Sequence, residues 1–207
     1  MIIEPSWNEE QSLWNRDYKY VCGVDEVGRG SWAGPVVVAA VIFSERITID
    51  FPIRDSKTLS LKQREALFPQ IQKSSYSFAF GMVDASEVDI SGIVPATFKA
   101  MRQAIENLHI SPDFCLVDGR QKIHRYDETE QKAIVKGDQK SYTIAAASVL
   151  AKVHRDRMMK KHHDEFDHYG FDTNVGYGTK KHQEGIRQKG LCRLHRKTFV
   201  PKKLLAS

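Results

Sequence analysis

The chain has 207 residues, 41% of them hydrophobic, and a formal net charge of +5. That length and apolar content suit one core-forming domain, with or without an appendage, and exclude a globally disordered chain. No stretch approaches the ~20 apolar residues of a membrane span, and three scattered cysteines (Cys22, Cys115 and Cys192) offer neither a disulfide framework nor a zinc knuckle. A reducing, cytoplasmic setting is therefore the expectation.

In chain order, residues 1–18 are polar with scattered aromatics, and a short helix is expected around Glu9–Arg16. Lys19–Val27 and Val36–Phe43 read as strands joined by a turn from Gly28 to Pro35. Arg46–Ile53 reads as a third extended stretch, and links this short favour an antiparallel meander. Ser60 with Gln63 three residues on is a capping-box signal for a helix over Leu61–Lys73. Ser75–Val83 alternates as a strand, Ala85–Ser91 is a short helix broken by Gly92, and Val94–Leu108 has helical apolar spacing. Asp113–Asp118 is a buried strand, and its connection through helices suggests parallel pairing with Ser75–Val83. Lys132–Lys136 is a weak last strand. Ser141–Phe166 is the longest helix, its Ile144–Ser148 stretch small enough to lie close against the sheet. A further helix covers about Lys180–Lys189.

Charge is uneven along this order. Gly176–Ser207 holds nine Lys or Arg against one acid, Glu184, so this segment carries +8 and the remainder −3. A basic segment on a mildly acidic body suits an anionic polymer as partner. The expected division is a catalytic core over 1–170 and a basic, dependent helical segment over 171–207.

The residues with chemical potential lie where strands end. Asp25 and Glu26 close an otherwise apolar run, and Asp118 closes another. Strand ends are where open α/β sheets place ligands. Three carboxylates gathered there repel one another, so they must take up protons or hold a cation. Oxygen ligands without His or Cys favour Mg²⁺ or Mn²⁺. Asp156 taken alone reads as a surface acid, with Lys152 and Lys160 one helical turn to either side. Gly28-Arg29-Gly30 does not extend into a dinucleotide fingerprint, because the next glycine is Gly34 and Pro35 opens a strand. The two glycines instead let backbone N–H groups approach a ligand.

Gly23-Val24-Asp25-Glu26-Val27-Gly28-Arg29-Gly30, Gly34-Pro35-Val36, Asp55-Ser56-Lys57, Val117-Asp118-Gly119, Lys136-Gly137-Asp138, Ile144–Val153 with Arg155-Asp156-Arg157, Gly176-Tyr177-Gly178-Thr179 and His195-Arg196 occur in one order. On these residues the chain resembles the ribonuclease HII family of bacterial type. The resemblance implies a ribonuclease H-like α/β fold: a mixed five-stranded sheet flanked by helices, with a small C-terminal helical region. It implies endonucleolytic cleavage of RNA in RNA–DNA hybrids, including 5′ of a lone ribonucleotide in duplex DNA, with two divalent ions and a role in removing ribonucleotides from DNA. Asp25, Glu26, Asp118 and Asp156 match the family's acidic positions. Gly28, Arg29 and Gly30 match the segment whose backbone senses the 2′-hydroxyl. Tyr177 matches a tyrosine that stacks on the neighbouring deoxyribose, and Lys57 a position near the phosphates. A monomer is expected. The alternatives are a ribonuclease HIII-like nuclease, a DNA-only nuclease of related fold, or a non-catalytic nucleic-acid-binding module.

Overall fold

The computed structural model describes residues 4–45, 47, 53, 59–127 and 130–205. It contains α1 (Asn8–Trp14), β1 (Val21–Val27), β2 (Val36–Ile42), α2 (Leu61–Ser74), β3 (Ser77–Val83), α3 (Ala85–Ser91), α4 (Ile93–Glu106), β4 (Phe114–Asp118), β5 (Gln131–Ile134), α5 (Tyr142–Glu165), α6 (Phe171–Asn174) and α7 (Lys180–Lys189). The five strands form one mixed sheet in the order β3-β2-β1-β4-β5. The β1–β2 and β2–β3 pairs are antiparallel, whereas β1–β4 and β4–β5 are parallel.

One expected pairing comes out differently and another falls largely outside the described residues. The stretch Arg46–Ile53 lies almost wholly outside the described residues, and the third antiparallel strand is β3. The parallel partner of β4 is β1, not the Ser75–Val83 strand. β3 is bonded to β2 over its whole length, so α3 and α4 carry the chain back across the sheet to the free edge of β1.

β2 is buried at every position because helices cover both faces. Val36, Val38, Ala40 and Ile42 pack with Ala96, Ala100 and Ala104 of α4. Ala39 and Val41 pack with Leu67 and Ile71 of α2 and with Ala145–Ala147 of α5. The close seat of α5 depends on Gly23 of β1, where an added Cβ would lie 2.2 Å from the Thr143 carbonyl carbon. The helix starts are fixed locally. Ser60 accepts from Gln63 N–H at 3.3 Å, and Gln63 Oε1 accepts from Ser60 N–H at 2.8 Å. Ser141 caps α5 by accepting from Ile144 N–H at 3.2 Å.

The C-terminal segment packs Phe171, Val175, Ile186, Val200 and Leu204 around Ala33, Met159 and Tyr169. Its polar centre is a buried imidazole pair, His182 and His195, with their Nε2 atoms 3.0 Å apart. Burial, reinforced by His182, pushes His195 down from 6.5 to about 4.

Two outcomes follow from this packing. Gly23→Ala drives a methyl into the α5 backbone and should destabilise by about 3 kcal/mol, the upper end of ordinary overpacking, measurable by chemical denaturation. For His195, a folded pKa below the unfolded one means that the unfolded chain binds the extra proton. Its contribution is fully present above pH 6.5 and is lost as pH falls toward 4, at most about 3 kcal/mol for the shift. The melting temperature of the wild type should drop more steeply between pH 7 and 4.5 than that of His195→Gln.

Candidate active site

The β1–β4 ladder ends at Val24–Val117, while the β1–β2 ladder continues through Val27. Asp25 and Glu26 therefore remain strand residues yet extend past the last rung shared with β4. Adjacent strand side chains point to opposite faces. Asp25 lies on the α5 face, two residues after Gly23, and its carboxylate is held by Ser148. Glu26 lies on the α4 face and lines a cleft of about 370 Å³ with Val94, Phe98, Met101 and Arg120. Asp118, next after Val117, lines that cleft and also a second one of about 290 Å³ shared with Asp25, Glu26, Gly28, Arg29, Gly30 and Tyr177. The three acids thus meet where β1 and β4 part.

Burial holds the Asp25 carboxyl well above its ordinary range, and the charges of Glu26 and Asp118 push in the same direction. The Ser148 hydroxyl and the Glu26 N–H, 2.7 Å from Asp25 Oδ1, oppose the shift. Asp118 Oδ1 accepts from Gly137 N–H at 2.7 Å. Arg29 Nη1 reaches Glu26 Oε1 at 3.3 Å. No histidine or cysteine lines either cleft among the described residues. A buried carboxylate beside two others, with oxygen donors alone, fits a hard divalent cation. As placed, no three His, Cys, Asp or Glu side chains among the described residues are close enough to hold an ion.

The remaining expected residues divide. Gly28, Arg29, Gly30 and Tyr177 all line the smaller cleft, and Tyr177 is 38% exposed. Lys57 and the rest of its motif lie outside the described residues. Asp156 is not a surface acid: it is 5% exposed and accepts from Lys152 Nζ at 2.8 Å. Lys152 lines the cleft and Asp156 does not.

Several residues at this site were not singled out from the sequence. Ser148 and Lys152 precede Asp156 by eight and four positions, so helical spacing puts all three along one side of α5. Asp138, 2% exposed, directly follows the Gly137 that holds Asp118, and it read as no more than a turn residue. Arg155 and Arg196 are both buried, although by sequence each belongs to a charged, solvated run.

The family model Ribonuclease HII matches residues 22–202. The ribonuclease HII of Caldicellulosiruptor bescii is 48% identical over 191 residues, spanning 92% of this chain and 91% of its own. That of Caldicellulosiruptor saccharolyticus is 47% identical, spanning 96% of each. Among solved structures, the ribonuclease H2 from Pyrococcus horikoshii OT3 superposes with a TM-score of 0.74 at 26% identity, covering 89% of this chain and 96% of that one. Bst-RNase HIII in complex with Mn²⁺ gives 0.72 at 19% identity, covering 91% and 69%, a likeness of fold. Identity near one half along almost the full length of its bacterial relatives makes this chain a member of the ribonuclease HII family, an endonuclease that hydrolyses RNA paired to DNA.

Proposed function

We propose that this endonuclease also cuts on the 5′ side of a single ribonucleotide embedded in duplex DNA, leaving 3′-hydroxyl and 5′-phosphate ends, with Asp25, Glu26 and Asp118 as ligands for Mg²⁺ or Mn²⁺. The observation that carries the reading is the buried Asp25, burdened by two neighbouring carboxylates at the mouth of the cleft. Such a cluster facing a polyanion weakens binding unless cations cover it, which disfavours a purely binding role. Two divalent ions bound there supply water activation and charge neutralisation at the leaving 3′-oxygen.

The chain's own groups set where the strand lies. Tyr177, partly exposed in the lining of the cleft, offers an apolar surface for a sugar. Arg29, half exposed beside Glu26, and Lys152 place positive charge at the cleft. Lys180, Lys181, Arg187 and Lys189 on and around α7 would meet phosphates without reading bases, so sequence preference is low and salt dependence strong. On this reading residues 1–170 form the catalytic core and 171–207 a substrate-carrying segment. That segment shares its apolar centre with Ala33 and Met159 of the core. The protein works as a monomer in the cytoplasm.

The resemblance assigns the fourth acidic position to Asp156. A second reading rests on one observation: Asp138 is buried directly after the residue that holds Asp118, whereas Asp156 is committed to Lys152. Asparagine substitutions separate the two. On a duplex carrying one ribonucleotide, Asp25→Asn should lower kcat by about 10²-fold or more, the scale of losing one charge-stabilising group, with duplex affinity retained. Near-wild-type cutting by Asp25→Asn in Mg²⁺ would overturn the ligand assignment. Whichever of Asp138→Asn and Asp156→Asn loses kcat to a similar extent, at unchanged melting temperature, identifies the fourth acid.

A further inference from the structure

The loop from Gly28 to Pro35 is held from beneath by two buried guanidinium groups. Arg155 of α5 donates through Nε to Pro35 O at 2.9 Å, through Nη1 to Val175 O at 2.8 Å, and through Nη2 to Ser31 Oγ at 2.8 Å and Ala33 O at 3.0 Å. Arg196 donates through Nε and Nη2 to Gly34 O, at 3.0 and 2.8 Å, and through Nη1 to Arg29 O at 3.0 Å. Arg196 N–H also donates to Trp32 O at 2.7 Å. Ser31 passes the constraint on, since its hydroxyl donates to Gly28 O at 2.9 Å. Gly28 itself has φ +88°, and a Cβ there would lie 2.3 Å from Arg155 Nε.

The consequence is one of peptide geometry. In a trans peptide unit the C=O and the following N–H point in opposite directions. The carbonyls of Gly28 and Arg29 are turned inward, to Ser31 and Arg196. The N–H groups of Arg29 and Gly30 must therefore point outward, toward the cleft that these residues line. Neither N–H has an acceptor among the described residues. A Cβ on Gly30 would meet nothing within 4 Å, so the fold does not require glycine there.

We infer that Arg155, acting through Ser31, and Arg196 are positioning residues for substrate selection: they fix the two outward N–H groups that meet the ribose 2′-hydroxyl at the cut site. This deepens the proposed function and rests on its reading of the Gly28–Gly30 backbone. A second feature points the same way. All the side-chain hydrogen bonds of both arginines go to neutral oxygens, and the carboxylates that act on them, Asp156 on Arg155 and Asp89 on Arg196, do so through space without an ion pair among the described residues. A purely structural staple has no need of two buried cations without a directly bonded carboxylate, which are costly. Beneath a loop that receives a polyanion, their charge is matched by the substrate.

The test compares kcat/KM on a duplex with one embedded ribonucleotide with kcat/KM on a uniform RNA–DNA hybrid, with melting temperatures measured alongside. A uniform hybrid offers a 2′-hydroxyl in every register, whereas the single ribonucleotide must be found by the loop. Arg196→Lys cannot bridge Arg29 O and Gly34 O. It should lower the single-site to hybrid ratio by about 10- to 100-fold, the scale of an ångström's misplacement. Ser31→Ala, a smaller change that keeps both arginines, should lower the ratio by about 5-fold, less than the loss of a whole guanidinium bridge. Leu13→Ala, buried in a cluster that contains no residue of the loop, should lower the melting temperature and leave the ratio unmoved. Gly30→Ala separates the two levels of the argument. If it lowers the ratio while Arg196→Lys and Ser31→Ala do not, the positioning inference falls and the reading of the loop stands. If Gly30→Ala leaves the ratio unchanged as well, the reading of the loop fails and takes the inference with it.

Discussion

The site depends on a mismatch between two ladders. β1 is bonded to β2 through Val27 but to β4 only through Val24. Beyond Val24 one edge of β1 is uncovered, and consecutive residues, which must face opposite ways, can both reach open space beside the end of β4. Asp25 and Glu26 occupy those two positions, and Asp118 is the residue where β4 stops. The depth of Asp25 is set two residues earlier. Gly23 lets α5 settle against β1, and the same helix brings Ser148 over the Asp25 carboxylate. Core packing and site electrostatics are thus one arrangement, seen at neighbouring positions on the same face of one strand.

Features governed by near neighbours were legible in the sequence. The Ser60–Gln63 box starts α2, Gly92 separates α3 from α4, and α7 runs from Lys180 to Lys189 as its pattern indicates. The apolar runs that end in Asp25, Glu26 and Asp118 marked the site because a buried carboxylate needs a reason. What stayed hidden was set by tertiary contact. The partner of β4 depends on which sheet edge is free, and no residue of β4 encodes that. The Lys152–Asp156 pair follows from helical spacing, but its burial does not. Asp138 sits in a turn after Lys136, itself at φ 56°, and local chemistry alone reads it as punctuation.

Arg155 and Arg196 are the sharpest case. By sequence Arg196 is one of nine basic residues in a +8 segment, and a solvated face is the natural reading. In the fold it is fully buried, with its charge turned toward backbone carbonyls. The planar fork explains why arginine occupies the position. One guanidinium spans two carbonyls in fixed directions, which an ammonium on a flexible stem does not do.

On the proposed reading the two halves of the site carry opposite electrostatic burdens. On one side of Arg29 three carboxylates repel one another, and on the other two buried guanidinium groups have no directly bonded carboxylate among the described residues, Asp156 and Asp89 acting on them only through space. The guanidinium groups are relieved by an anionic strand lying across the loop, and the carboxylates by divalent cations. Substrate without metal would bring phosphates against acids, and metal without substrate would leave the arginines unmatched. Tight binding of each therefore favours the other, a coupling that must be reciprocal. It ties catalysis to a nucleic acid seated with its ribose against the Gly28–Gly30 backbone, the surface through which the buried arginines act.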